Sequence, residues 1–212
     1  MDADIIRVNP LLIEQDLEQI DAKVRLYSKT PKNRMVENDF SKQLEQINFI
    51  IFQIKNMIKE FECIKVNNDI TFDELLVAVT EKLSPYNEKR LIIQEDIKRR
   101  EKIASQVIPE YDFALLHTKT KGVFRPSFSI CITKDLQEFK DPYFQSIHVV
   151  IIMLLPDDEH IDMNREILGY LSSSLIENTD FLPVIFTGEK EKIQEFISKL
   201  LKNFFRLFID TF

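Results

Sequence analysis

The sequence predicts an α/β protein: a mixed central sheet with helices on both faces, preceded by a helical arm. Three observations carry this expectation. Apolar runs of strand length occur at residues 113–116, 127–133 and 147–155. Stretches with apolar residues at helical spacing separate and flank them. The quartet Thr71-Phe72-Asp73-Glu74 has the form of a capping box, which marks a helix start after a short strand.

The elements follow in order. Residues 4–9 read as the end of a strand stopped by Pro10, and Leu12, Ile13, Leu17, Ile20 and Val24 give a helix over 11–27. Residues 28–38 are polar, basic and contain Pro31, and read as an exposed linker. A long amphipathic helix is expected from Phe40 to Phe61, its apolar stripe running through Leu44, Ile47, Ile51, Ile54 and Ile58. A strand at 63–66 comes next. Two helices are expected, one from the capping box to Leu83, the other from Asn87 to Ala104 with Ser84-Pro85 between them. After the three apolar strands, Pro156-Asp157-Asp158-Glu159 turns into a helix over 160–177. A short strand at 183–186 and a last helix over 189–208 complete the reading. The organisation expected is a 1–38 arm and linker, a long helix over 39–62, and one domain over 63–212.

Composition narrows the function. Apolar residues make up 44% and charged residues 30% of 212, enough for a core and ordinary for a soluble protein. The longest apolar run, Val149 to Leu155, is too short to span a bilayer. No signal peptide is read at the start, so a cytoplasmic protein with reduced thiols at Cys63 and Cys131 is expected. A net charge of −7 argues against direct nucleic-acid binding by this segment. Three glycines leave no glycine-rich phosphate loop. HExxH, CxxC and GxSxG do not occur, and no cofactor or metal is expected.

Three histidines remain as candidates. His117 ends the run Phe113-Ala114-Leu115-Leu116 and is followed by Thr118-Lys119-Thr120-Lys121-Gly122. A neutral imidazole at a strand mouth among hydroxyls and cations can accept a phosphoryl group. Arg99 or Arg100, late in the preceding helix, can add a guanidinium. His160 falls in the first turn of a helix, where free N–H groups favour anions. It reads as the partner that stabilises the phosphoryl oxygens. His148, inside an apolar run, reads as a structural histidine near a sheet edge. On residue chemistry alone, a metal or general-base site remains an alternative.

Residues 64–208 resemble the type-2 EIIA domain of the bacterial sugar phosphotransferase system, the mannitol/fructose class. That family has R-E-x-x-G-S-T followed by A-x-P-H, the histidine being the phosphoryl acceptor. Here the residues are Arg100-Glu101-Lys102-Ile103-Ala104-Ser105-Gln106 and then Ala114-Leu115-Leu116-His117. The resemblance implies an EIIA mannitol-like fold, an acceptor at His117, and Arg100 and Ser105 near it. The stretch Asp157-Asp158-Glu159-His160-Ile161 is similar to the family's N-N-E-H-I, which gives His160 the stabilising role.

The departures point to regulation. Ala104, Gln106 and Leu116 replace the family's glycine, threonine and proline. In this the chain resembles the degenerate EIIA domains at the C-termini of BglG-type sugar-operon regulators with duplicated regulation domains (PRD), including mannitol-operon activators. Residues 6–17 resemble the end of the EIIB-like domain that precedes EIIA there, so a piece of a longer regulator is expected. The partners implied are the phosphocarrier protein, an EIIB domain or subunit, and other domains of the same regulator. The alternative is a sugar-transport EIIA that hands phosphate to an EIIB cysteine. A third reading is an interaction module in which the Phe40–Phe61 helix forms a homodimer surface.

Overall fold

The computed structural model describes residues 34–158 and 161–210. The strand and helix expected over 4–27, Pro31 and His160 lie outside them. The chain divides into two compact units, residues 1–49 and residues 50–211. Of the first, only the helical residues from Arg34 onward are described. The second contains the sheet and the candidate site.

Helix α1 (Arg34–Lys59) starts six residues earlier than its apolar stripe suggests. The last five residues of the expected linker, Arg34 to Asn38, are therefore helical. They include no glycine or proline, so nothing in them breaks a helix. Within the second unit Ile50, Ile54 and Met57 are buried, and Phe61, just beyond the helix end, stacks on Phe128 with centroids 5.7 Å apart. Strand β1 (Glu62–Val66) follows, then α2 (Phe72–Leu83) and α3 (Asn87–Ile103). The capping box forms as the sequence requires: Thr71 Oγ1 accepts from the Glu74 amide, and the Glu74 carboxylate accepts from the Thr71 amide at 2.9 Å.

The sheet is completed by β2 (Val107–Ile108), β3 (Phe113–Thr120), β4 (Ser127–Thr133) and β5 (Val149–Pro156). Its strand order is β1-β4-β5-β3-β2. β5 is central, parallel to β3 and antiparallel to β4; β1 runs parallel to β4, and β2 antiparallel to β3. The sheet is therefore mixed. β4 is buried along its whole length and β5 at all but one position, as expected when helices cover both faces. On one face Ala114, Leu116, Val150 and Ile152 pack with Leu75, Leu76, Ile93 and Ile97 of α2 and α3. On the other lie α4 (Ile161–Glu177), α5 (Phe181–Ile185) and α6 (Lys190–Ile209), where the Phe113 ring meets that of Phe181 edge-on at 6.2 Å.

Two expectations need correction. The stretch 183–186 is not a strand but the end of α5 and the residue after it. Val184 N–H donates to Asp180 O and Phe186 N–H to Leu182 O. Pro183 is tolerated because first-turn N–H groups have no helical acceptor, and four apolar residues cannot by themselves distinguish strand from helix. The second correction concerns β3, which does not end at Leu116. It runs to Thr120, with pairs from His117↔Met153 to Thr120↔Pro156. Backbone pairing with β5 holds these polar residues in the strand whatever their side chains prefer.

The smaller expectations resolve locally. His148 precedes β5, the central strand, by one residue rather than sitting near an edge. Its Nδ1 lies 2.8 Å from Asp112 Oδ1, and its ring lies edge-on to Phe186. Cys63 and Cys131 are free thiols on neighbouring strands. Cys63 pairs with Ile130, and Cys131 with Ile64, so the two thiols point to opposite faces. Phe204 and Phe205 of α6 are buried. Among the described residues no helix is long and apolar enough to cross a membrane.

Gly122 sets the turn after β3. A β-carbon there would run into the Ile93 side chain and stand 2.9 Å from Lys89 O. The same stretch of α3 holds the turn from its other side, for Lys89 Nζ donates to Lys121 O at 2.7 Å and lies over the Phe124 ring. Gly122→Ala must push α3 and the turn apart. Overpacking of this kind costs roughly 1–3 kcal/mol. The urea midpoint should fall accordingly, and an unchanged midpoint would show that α3 yields freely here.

Candidate functional site

An open cleft of about 770 Å³ lies at the C-terminal ends of the parallel strands β3 and β5, beside α3 and the start of α4. Ligand sites at this end of an α/β sheet are common, because strands stop there while helices begin. His117 lines the cleft, and so do Arg99 and Arg100 from α3, Lys119 and Lys121 from β3 and its turn, and Arg165 from α4. The carboxylates in the lining are Asp96 and Asp157. Arg99 pairs with Asp96, Lys119 with Asp157 at 3.5 Å, and Arg165 with Asp162 at 3.0 Å. Among the described residues of the lining cations outnumber carboxylates, so the cleft favours an anion even though the whole chain is acidic.

Burial holds His117 below the ordinary imidazole value of 6.5, and the Arg100 charge adds to this; the Leu115 carbonyl and Glu101 oppose it. The ring is therefore biased towards its neutral form, which a nucleophile requires. In the folded chain it should titrate below 6.5, measurable by NMR of the ring protons. The sign for stability follows. Folding disfavours protonation of this ring, so its contribution is complete above 6.5. It is lost as pH falls from there through the folded-state value. His117→Ala should remove that part of the acid slope. A titration midpoint at or above 6.5 would contradict this.

Behind His117 stands Gln106. With the amide oriented by its partners, its nitrogen donates to His117 Nδ1 and to Leu115 O at 2.6 Å, and its oxygen accepts from Arg100 at 3.0 Å. A second layer fixes the Gln106 backbone. Its N–H donates to Glu101 Oε2 at 3.1 Å, and Tyr143 Oη donates to the same oxygen at 2.5 Å. Burial and this carboxylate raise the Tyr143 hydroxyl far above its usual value, so it stays a donor.

The structure thus brings His117 and Arg100 into one cleft, linked through Gln106. Ser105 is exposed and interacts with the Tyr143 hydroxyl; it does not line the cleft. His160 lies outside the described residues, although Ile161 beside it in sequence lines the cleft. In the turn that follows β3, Phe124 is exposed, whereas Val123 is half-buried and Pro126 buried. Sequence reasoning missed Gln106, Glu101, Tyr143 and Arg165 as parts of the site. Glu101 and Gln106 alone carried a signal, Glu101 as a match to the motif and Gln106 as a departure from it. Among the described residues no cluster of His, Cys, Asp and Glu could hold a metal ion.

Comparisons with known proteins bear on this geometry. The family model described as phosphoenolpyruvate-dependent sugar phosphotransferase system, EIIA 2, matches residues 57–200. A protein of Streptococcus mutans serotype c (strain ATCC 700610 / UA159), named by inference as the transcriptional regulator MtlR, is 23% identical over 148 residues. The match covers 69% of this chain and 22% of that protein, so the chain spans about a fifth of the relative's length. The crystal structure of nitrogen regulatory protein IIA-Ntr from Neisseria meningitidis matches with a TM-score of 0.45 at 16% identity, covering 68% of this chain and 94% of that one.

Proposed function

We propose that this chain, which belongs to the EIIA 2 family of the phosphoenolpyruvate-dependent sugar phosphotransferase system, is the phosphoryl-accepting regulatory domain of a sugar-operon transcriptional regulator. The observation that carries the proposal is a half-buried His117, biased towards neutrality, in a cleft where cations outnumber carboxylates. The regulator reading is supported by the likeness to MtlR and by the motif departures at Ala104, Gln106 and Leu116.

In the proposed step, His117 attacks the phosphorus of a phosphohistidine on the phosphocarrier protein. A new N–P bond forms, the carrier's P–N bond breaks, and the carrier's ring keeps that electron pair. Gln106 stands at Nδ1, so the attack is assigned to Nε2, which becomes nucleophilic once the ring proton has moved from it to Nδ1. Arg100 and Lys119, which line the cleft, are assigned to the phosphoryl oxygens, and His160 is assigned the same task from the sequence motif. Ser105 takes a supporting place one residue from Gln106. The reaction needs no metal or small cofactor, and its donors are cytoplasmic. Phosphorylation adds about two negative charges beside Arg99 and Arg165, enough to alter how other domains of the regulator pack on this one.

Incubation with phosphoenolpyruvate, enzyme I and the phosphocarrier, followed by intact mass, tests acceptance: one phosphate should be added. The phosphorylated chain is then mixed with EIIB proteins. Retained phosphate supports regulation, whereas rapid passage to an EIIB cysteine would move the assignment to sugar transport. No phosphate at all would defeat both readings and leave an interaction module, testable through homodimer formation.

A further inference from the structure

Two groups compete for His117 Nδ1, and they select opposite tautomers. The Gln106 amide nitrogen donates to Nδ1. A ring nitrogen that accepts has no proton, so a neutral ring must then carry its proton on Nε2. The Leu115 carbonyl lies on the same side, since one amide nitrogen reaches both it and Nδ1. That carbonyl can only accept, and it favours a proton on the ring nitrogen facing it. With the amide oriented as the Leu115 carbonyl and Arg100 require, Gln106 supplies both amide hydrogens, one to the ring and one to the carbonyl, and its oxygen is held by Arg100. Both amide hydrogens are then used, one of them on the carbonyl that would otherwise accept from the ring.

We infer that Gln106 is a positioning residue that holds His117 in the Nε2–H tautomer, so that the phosphoryl acceptor rests in a non-nucleophilic form until the amide is displaced. The inference rests on the phosphoryl-acceptor reading for its consequence, but not for the tautomer itself. Its physical logic is simple. Attack through Nε2 needs a lone pair there, and therefore a proton on Nδ1. With Gln106 in place, Nδ1 meets a donor and Nε2 keeps its proton. When the amide leaves, the Leu115 carbonyl becomes available to Nδ1–H and the lone pair moves to Nε2. The proton is not consumed; it changes nitrogen through solvent.

Arg100 links this arrangement to the incoming group. Its guanidinium holds the Gln106 oxygen and also lines the cleft. A phosphoryl anion entering the cleft competes for the same donor, and charge-assisted bonds to an anion are stronger than one to a neutral amide. Drawing Arg100 forward removes the acceptor-side anchor of Gln106 and frees the amide to turn. The acceptor would then become nucleophilic as its donor arrives.

The test reads the tautomer directly. In the full chain labelled with ¹⁵N at histidine, His117 should show a protonated Nε2 and an unprotonated Nδ1 above its titration midpoint. Gln106→Ala should move the ring towards Nδ1–H. Gln106→Glu, whose carboxylate accepts a hydrogen bond from Nδ1–H, should move it further, and guards against a single variant that folds poorly. The initial rate of phosphate uptake should rise about three- to tenfold in Gln106→Ala, the population change expected from losing one net hydrogen bond. A wild-type ring already protonated on Nδ1, or a tautomer unmoved by both variants, would overturn the inference. If the tautomer moves as stated but no variant takes phosphate, the hold of Gln106 on the ring stands and the phosphoryl-acceptor reading fails.

Discussion

His117→Ala should take up no phosphate from phosphoenolpyruvate, enzyme I and the phosphocarrier, while the wild-type chain gains one. The loss should be complete rather than partial, because the substitution removes the bond-forming atom and not a group that assists it. Folding should survive. His117 is half-buried at the rim of a cleft, and truncating it opens no closed cavity. The ladder between β3 and β5 uses backbone groups that alanine keeps. Far-ultraviolet circular dichroism and thermal unfolding measured beside the mass would therefore separate lost chemistry from lost structure. Phosphate on the alanine variant would place the acceptor elsewhere, with His160 the first residue to replace.

The second large effect concerns stability, and it sits one residue away. Leu116 is 0% exposed and belongs to the cluster formed with α2 and α3. Leu116→Ala should destabilise the domain by roughly 2–5 kcal/mol, the range for deleting such a side chain from a closed core. For a chain of this size that lowers the unfolding temperature by about 10 °C. The contrast with His117→Ala is instructive. Adjacent strand residues point to opposite faces, so one substitution empties the core and the other empties the cleft. Thr118→Ala, at a half-exposed position beyond them, should change stability by less than about 0.5 kcal/mol. A Leu116→Ala chain as stable as wild type would mean that α2 and α3 can close onto the vacated space.

Much of the fold was legible because its signals are local. The capping box at Thr71 and Glu74 needs only four residues, and it forms as read. The run at 149–155 is too apolar to be anything but buried and is a strand, and 127–133, which mixes serine and threonine with apolar residues, is a strand too. The stretch 183–186 misled for the opposite reason. Four apolar residues with a proline carry no period, and a place in a first helical turn, not composition, decided them. At His117 the basic residues that follow suggested a turn, yet pairing with β5 carries the strand to Thr120.

The site divides in the same way. Resemblance to a motif pointed to His117 and Arg100, and the cleft contains both. Ser105, one step along the same motif, instead meets Tyr143 from a distant loop. Glu101 and Tyr143, which anchor Gln106, are 42 positions apart, and Arg165 reaches the cleft from a helix beyond the central strand. No spacing rule links such residues.

The sequence by itself determined most of the element types and the strands that would be buried. These follow from side-chain polarity at fixed local periods, and that information is written along the chain. Only the tertiary structure decided that β5 would lie at the centre, that Arg100 and Gln106 would meet His117, and that Nδ1 would face an amide donor. Those outcomes depend on contacts between residues distant in sequence. Sheet order and packing fix such contacts through the summed burial of many side chains, a quantity that no short stretch contains.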